Sequence, residues 1–147
     1  MNIGIDIGWT IKGIRGDSDK NKIAPNSFKV ISELVKRGDN VYMISKCNSR
    51  QKEEVERWLS YVNFFNLTGV KSENLYFCFE RRDKGIFVKA LNIQLMIDDR
   101  AEVMTHILPT VIKFLINPET DDYDRHSKQL WNCKVVANWL EIERALF

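Results

Sequence analysis

The sequence lacks the features that mark membrane-spanning, fibrous and disordered proteins. No apolar run reaches the roughly 20 residues that a spanning helix needs, and Asp6 interrupts the apolar start that a signal sequence requires. With only 7 glycines and 3 prolines among 147 residues, collagen-like and Pro-rich disordered chains are excluded. Neither sign of charge dominates, since 22 Lys and Arg residues face 20 Asp and Glu residues, and this balance leaves no electrostatic footprint for nucleic acid. We expect an ordered globular protein with no membrane partner and no indication of a nucleic-acid partner.

Disulfide and zinc patterns are also missing. The three cysteines, Cys47, Cys78 and Cys133, lie far apart, and an odd number cannot pair completely, which is typical of a reduced, intracellular protein. The two histidines, His106 and His126, do not complete a zinc set, because a structural site needs four nitrogen or sulfur ligands in closely spaced pairs. We therefore expect a cytoplasmic protein without structural zinc.

Short apolar strands alternate with amphipathic helices along the chain. Strands are predicted over residues 2–7, 41–45, 75–79, 94–97 and 110–116. One helix is predicted to begin at residues 25–27 and to stop at Gly38, and a second helix is predicted to follow a cap at Ser49. Three further helices are predicted over residues 86–91, 100–108 and 139–147. Polar residues 80–85 are expected to form a turn, and residues 117–129 a mobile loop.

This alternation predicts the fold class. Strands separated by helices imply right-handed crossovers and a parallel sheet that is covered on both faces. We predict an α/β fold, a three-layer Rossmann-like domain over residues 1–147 with a central, mainly parallel β-sheet flanked by helices.

Four of the predicted strands are followed by residue types that suit phosphate chemistry. They are Asp6, Ser45, Lys84 and the pair Asp98 and Asp99. In open parallel sheets, ligands bind outside the carboxyl ends of the strands, so these side chains are expected to converge. Carboxylates supply the hard oxygen ligands that Mg²⁺ takes, a lysine balances the charge, and a carboxylate in line with a held phosphoryl group can attack it. The sequence therefore predicts a magnesium and phosphate site for a phosphorylated substrate, either a small molecule or a larger one.

The order of these residues resembles the haloacid dehalogenase (HAD) superfamily of phosphotransferases, over nearly the whole chain. The family's first motif is an apolar strand ending in D-x-D-x-[TV], and the sequence IGIDIGWT at residues 3–10 is similar to it. The apolar strand that ends in Ser or Thr resembles residues 41–45, and the lysine of the third motif matches Lys84. The apolar strand that ends in paired acids resembles residues 95–99. Four motifs in the right order are far more specific than any single one.

The resemblance implies a role for each matched residue. Asp6 corresponds to the nucleophile and to a metal ligand, and Ser45 to a hydrogen-bond donor for the phosphoryl oxygens. Lys84 corresponds to the cation that neutralises Asp6 and the phosphate. Asp98 and Asp99 correspond to the acids that hold Mg²⁺ and its waters, and the sequence leaves open which of them touches the metal directly.

One position departs from the family pattern. The phosphatases of the family carry a second Asp two residues after the nucleophile as general acid and base, and this chain has Gly8 there, although its backbone carbonyl can still serve as a metal ligand. Such a group contributes about 10²–10⁴-fold to the rate. We therefore expect either slow hydrolysis of a phosphomonoester through an aspartyl-phosphate, with Asp83 or Asp99 as a substitute acid, or a catalytically impaired module that only binds a phospholigand.

The resemblance extends to a small bacterial and phage-like branch of the superfamily. Residues 80–85 and 95–100, together with Trp58 and Trp139, are similar to that branch. Too few residues separate the motifs for a large inserted cap domain, so the resemblance implies a capless fold with an open site.

A second resemblance competes with the first. Residues 5–10 are also similar to the D-x-G-x-T phosphate loop of the sugar kinase, hexokinase and actin group, which predicts a hairpin with residues 11–14 as its second strand. Those enzymes clamp a nucleotide between two domains, each about the size of this chain, and their pattern leaves Ser45 and Lys84 without a role. We therefore favour the HAD interpretation.

Two groups of charged residues also have simpler structural interpretations. The run from Asp98 to Arg100 could simply cap the helix that follows it, because acids favour the positive end of the helix dipole. Four basic residues are predicted near the mouth of the site, where they either attract an anionic substrate or form a solvated rim: Lys46, Arg50, Arg81 and Arg82.

Overall fold

The computed structural model describes residues 1–147 and contains one six-stranded sheet in which all neighbouring strands are parallel. The strands are β1 (Asn2–Ile5), β2 (Asn40–Lys46), β3 (Leu75–Cys78), β4 (Leu95–Asp98), β5 (Ile112–Ile116) and β6 (Cys133–Val136). Their order across the sheet is β3-β2-β1-β4-β5-β6. Strands β2 and β3 lie on one side of β1, and β4, β5 and β6 lie on the other side. The strand order therefore reverses between β1 and β4, which is where ligands bind in such sheets.

Seven helices cover the two faces of the sheet. They are α1 (Ser27–Lys36), α2 (Ser49–Tyr61), α3 (Phe64–Thr68), α4 (Asp83–Ala90), α5 (Ala101–Thr105), α6 (Thr120–His126) and α7 (Trp139–Leu146). A cluster of 23 buried apolar residues joins α1, α2, α3 and α7 to one face. A second cluster of 11 joins α4 and α5 to the other face, with α6 packed at its edge. The predicted three-layer architecture is thus confirmed.

The central strands are apolar on both faces because both faces are covered. Along β4, the side chains of Leu95 and Ile97 enter the larger cluster, whereas Met96 enters the smaller one. None of the helices combines the length and the apolar character that crossing a bilayer requires.

Two helix starts differ from the prediction. The cap of α2 is Asn48 rather than Ser49: its side chain accepts the Gln51 amide, and the Gln51 side chain accepts the Asn48 amide, which forms a capping box. Helix α4 begins at Asp83, three residues before the predicted start, with its acid at the positive end of the dipole. Lys84 and Gly85 therefore lie in the first turn of a helix and not in the predicted turn.

The prediction of a mobile loop over residues 117–129 is wrong. This segment contains α6 and a 3₁₀ turn (Ser127–Gln129), and it leads into β6, which the sequence analysis missed. The acids that made the segment look like a loop have a structural use, since the buried carboxylate of Asp122 accepts the backbone amides of Ala101 at 2.6 Å and Glu102 at 3.4 Å. Asp122 thereby caps α5 from a distant part of the chain. Strand β6 is a short edge strand with mixed polarity, which leaves no clear pattern in the sequence.

The hairpin that a kinase-like phosphate loop requires does not form. Residues 11–14 are not a strand, and Lys12 makes only isolated bridges to Gly8 and Ile23. The remaining predicted strands and helices are present, and their ends differ from the predicted ones by no more than three residues.

Gly85 sets how closely α4 packs against the end of α5. A Cβ at this position would overlap the backbone carbonyl oxygen of His106, which cannot rotate away. We expect Gly85→Ala to lower the free energy of unfolding by about 2 kcal/mol, as overpacked cores do. The measurement is urea denaturation followed by circular dichroism.

Gly8→Ala is the matched control, because no atom lies within 4 Å of a Cβ at Gly8 and its backbone is outside the left-handed region. Its free energy of unfolding should change by less than about 1 kcal/mol. Equal losses in the two variants would contradict the role given to Gly85.

Candidate active site

Five side chains that the sequence analysis singled out meet at one edge of the sheet. Asp6 follows β1, Ser45 lies near the end of β2, Asp98 ends β4 and Asp99 follows it, while Lys84 reaches in from the first turn of α4. Each of the five is at most 6% exposed. All line one cavity of about 300 Å³. The carboxyl ends of parallel strands share an edge, which is why residues so far apart in sequence converge.

Lys84 is the central cation of this cavity. Its ammonium group lies 2.6 Å from the Oδ1 of Asp6 and 2.8 Å from the Oδ2 of Asp98. Burial by itself lowers the pKa of Lys84, but the carboxylates of Asp6 and Asp98 outweigh burial and raise this pKa above its ordinary value. Lys84 therefore stays charged, and it ties α4 to the ends of two neighbouring strands.

Three carboxylates crowd the same space. Asp6, Asp98 and Asp99 each offer an oxygen, and these oxygens all lie within 4.8 Å of one another. Burial raises the pKa of Asp98 to about 6, with the charge of Asp6 adding to the effect. Burial also raises the pKa of Asp99 well above its ordinary value, and the negative charges of Asp6 and Asp98 raise this pKa further. Three hard oxygen donors this close together, with more negative charge than Lys84 balances, are a donor set that fits Mg²⁺.

A turn after β1 holds the Asp6 carboxylate in place. The Thr10 hydroxyl donates to the Oδ2 of Asp6 at 3.0 Å, while Lys84 occupies Oδ1. The Thr10 carbonyl in turn accepts the indole N–H of Trp139 at 2.8 Å, so α7 supports the turn from outside. Gly8 also lines the cavity, and the space around its Cα is open.

Ser45 faces the cavity together with Cys47. The Ser45 hydroxyl and the Cys47 sulfur lie 3.2 Å apart, and both residues are buried. Burial raises the pKa of the Cys47 thiol, which keeps it in the weakly nucleophilic protonated form. The Ser45 hydroxyl is therefore the polar group available at the end of β2.

Arg15 is the site residue that sequence analysis missed. Its guanidinium forms an ion pair with Asp99, donates to the Asn117 carbonyl at 3.3 Å and lies 5.6 Å from the centre of the Trp9 ring. Arg15 is only 24% exposed. Arg15 lies in an irregular loop without a sequence motif. The only indication of such a residue in the sequence is that the paired acids Asp98 and Asp99, if buried, need a cation beside them.

The predicted basic rim is only partly assembled. Lys46 and Arg81 line the cavity, and Arg100 joins them. Arg50 and Arg82 do not line this cavity and pair instead with exposed glutamates on their own segments. The positive charge at the mouth is therefore carried by fewer of the predicted residues than expected.

Solved structures with the same architecture exist. The crystal structure of D,D-heptose 1,7-bisphosphate phosphatase from B. bronchiseptica, complexed with magnesium and phosphate, has a TM-score of 0.70 at 9% identity, covering 99% of this chain and 97% of that chain. The same-named phosphatase from Burkholderia thailandensis has a TM-score of 0.63 at 11% identity, covering 98% of this chain and 96% of that chain. This chain has a HAD-like fold.

The HAD-like fold, with its six-stranded parallel sheet flanked by helices, confirms the prediction of fold class. No protein-family model matches the sequence, and no curated protein matches it. At identities of 9% and 11% the likeness establishes the fold alone.

The Arg15–Asp99 pair generates a stability prediction. Replacing Arg15 by Gln leaves the buried Asp99 carboxylate without its cation, so the free energy of unfolding should fall by about 2 kcal/mol in metal-free buffer. Adding Asp99→Asn to the same chain should recover much of this loss, because no buried charge is then unpaired. Urea denaturation of the four chains of this cycle measures the coupling.

Arg82→Gln is the control for this cycle, since Arg82 forms an exposed pair with Glu80 at 2.6 Å. Its effect should stay below about 0.5 kcal/mol. A loss in Arg15→Gln no larger than that of this control would contradict the proposed support of Asp99.

Proposed function

We propose that this protein is a Mg²⁺-dependent phosphohydrolase that acts on a phosphomonoester through an aspartyl-phosphate on Asp6. The observation that carries the proposal is the cavity in which three buried carboxylates lie within 4.8 Å of one another beside a buried lysine. The likeness of the fold to phosphatases, one of them complexed with magnesium and phosphate, supports the reaction class. Fold alone does not determine function, so the proposed chemistry depends on the residues of the site.

The carboxylates of Asp6, Asp98 and Asp99 would hold the Mg²⁺ ion, with the backbone carbonyl of Gly8 as a further candidate ligand. When bound, the ion supplies positive charge that offsets the repulsion between these carboxylates and an incoming phosphoryl group. Only two cations form ion pairs with these three carboxylates, Lys84 and Arg15. The negative charge of the acids therefore exceeds the positive charge paired with it, which favours the binding of a divalent cation and, with it, a phosphoryl anion.

The reaction then needs two displacements at phosphorus. A carboxylate oxygen of Asp6 attacks the phosphorus, the bond to the leaving oxygen breaks, and the leaving group takes up a proton. Water next attacks the same phosphorus, the bond to Asp6 breaks, and inorganic phosphate and the free carboxylate are released. Lys84, which contacts Asp6 at 2.6 Å, offsets the negative charge, and the Ser45 hydroxyl donates to a phosphoryl oxygen. Thr10 keeps the Asp6 carboxylate oriented.

The site lacks a clear general acid that could protonate the leaving group. Gly8 has no side chain to protonate the leaving group, and the two substitute acids have other partners. Asp99 is paired with Arg15, and Asp83 accepts the Glu80 amide and does not line the cavity. We therefore infer slow turnover. A phospholigand-binding module that has lost turnover is the second candidate function, and Gly8 is the observation that favours it.

The first test is phosphate release from a panel of phosphomonoesters with and without Mg²⁺. We expect release that depends on Mg²⁺ and that falls about a thousandfold or more in Asp6→Asn, which removes the nucleophile. Asp83→Asn is the matched control, because this acid lies outside the cavity, and its activity should stay close to that of the native chain. Phosphate release that persists in Asp6→Asn, or that proceeds equally well without Mg²⁺, would exclude the proposed mechanism.

The second test restores the missing acid. Since the space around Gly8 is open, Gly8→Asp should fit and raise kcat by about tenfold to a hundredfold, most strongly for esters with poor leaving groups. Gly8→Asn has the same shape without a transferable proton and should give no gain. Equal rates in the two variants would argue against a missing general acid.

The second candidate function gives a different pattern in the same variants. It requires that the native chain bind Mg²⁺ and inorganic phosphate in calorimetry without any turnover, and that Gly8→Asp gain hydrolysis. Turnover by the native chain would rule it out.

A further inference from the structure

A second cavity adjoins the candidate active site. It measures about 480 Å³ and shares Lys46 and Arg81 with the first cavity, so the two adjoin at these residues. Phe79 lines it, directly after β3 at the carboxyl edge of the sheet. We call this cavity the outer groove; its other lining residues are Glu80, Arg82, Glu102 and His106.

Phe79 is the only apolar side chain that lines the outer groove, and it is 71% exposed. The two aromatic residues before Cys78 behave differently: Tyr76 packs its ring against Phe87 with centroids 5.7 Å apart, and Phe77 packs against the larger core cluster. Exposed aromatic residues are ordinary on protein surfaces. The ring of Phe79 differs from them because it lines a cavity that adjoins the proposed phosphate site.

The charges of the outer groove are nearly balanced. Arg81 pairs with Glu102 at 2.9 Å, and Arg82 pairs with Glu80 at 2.6 Å. Lys46 has no ion pair and lies where the two cavities join. Paired charges of both signs are poorly suited to a polyanion such as a long nucleic acid. They offer hydrogen-bond donors and acceptors to a small polar ring.

A flat apolar surface bordered by donors and acceptors matches an aromatic heterocycle. The faces of such a ring stack on an aromatic side chain, and its edge forms hydrogen bonds. The outer groove therefore has the chemistry to hold the part of a substrate that remains after the phosphoryl group has left. The open, capless site gives such a leaving group access to it.

We propose that the outer groove binds the leaving group of the substrate, and that this group carries an aromatic heterocycle that stacks on Phe79, as in a nucleoside monophosphate. This inference rests on the proposed function. Lys46, at the junction of the cavities, contacts the phosphate or the sugar that links it to the ring. Phe79 is thus a specificity-determining residue, and it does not take part in the displacement at phosphorus.

The experiment compares adenosine 5′-monophosphate with acetyl phosphate, which has no ring, in steady-state phosphate release. In Phe79→Ala, kcat/KM for the nucleotide should fall about tenfold or more, chiefly through a higher KM, while acetyl phosphate is unaffected. Phe79→Trp should retain the native preference because it keeps a stacking surface. Trp131→Ala is the control, since Trp131 is 82% exposed but precedes β6 at the opposite edge of the sheet.

Two kinetic outcomes overturn the proposal. One is a change in Phe79→Ala that is equal for the nucleotide and acetyl phosphate, or absent for both. The other is a loss of kcat/KM in Phe79→Ala that is as large for phenyl phosphate as for the nucleotide. Phenyl phosphate has a ring without a hydrogen-bonding edge, so this result would show that no heterocycle is selected.

Calorimetry separates this proposal from the proposed function. Binding of adenosine 5′-monophosphate that depends on Phe79, without any hydrolysis, would support the outer groove and refute the phosphohydrolase. Mg²⁺-dependent hydrolysis of a phosphomonoester without a ring, glycerol 3-phosphate, in the absence of nucleotide binding would support the phosphohydrolase and refute the outer groove. Absence of both binding and hydrolysis would refute both.

Discussion

The buried ammonium group of Lys84 between Asp6 and Asp98 is the interaction on which the rest of the site depends. Burying a lone charge is costly, and a lysine that is 2% exposed persists only because two carboxylates surround it. These contacts join the ends of β1 and β4 to the first turn of α4. Helix α4 can approach closely because Gly85 has no side chain to meet α5. The charge balance of the cavity therefore depends on the close packing of α4, because this helix carries Lys84.

The cavity nevertheless retains more negative charge than Lys84 can neutralise. Arg15 relieves this excess at Asp99, and the Thr10 hydroxyl binds the remaining oxygen of Asp6. Trp139 holds Thr10 through its carbonyl, so the last helix of the chain supports the first acid of the site. Concentrated carboxylates are unfavourable for stability unless a cation joins them, which is why such an arrangement indicates a functional site.

Gly8 affects two parts of the proposed reaction differently. Nothing in the geometry at Gly8 impairs the binding of a metal or a phosphoryl group, because the space beside Asp6 remains open. In the proposed reaction, only the transfer of a proton to the leaving group would lack a residue at this position.

The sequence by itself determined the fold class and five side chains of the candidate site. Apolar strands that end in Asp6, Ser45 and Asp98 have a local pattern, and parallel topology requires their ends to meet at one edge. Only the tertiary structure decided that Lys84 lies in a helix, that Arg15 pairs with Asp99, and that Asp122 caps α5 and so orders a segment that looked like a loop. The physical reason is that contacts between residues far apart in the chain leave no periodicity in the sequence, whereas the pattern of a buried strand does.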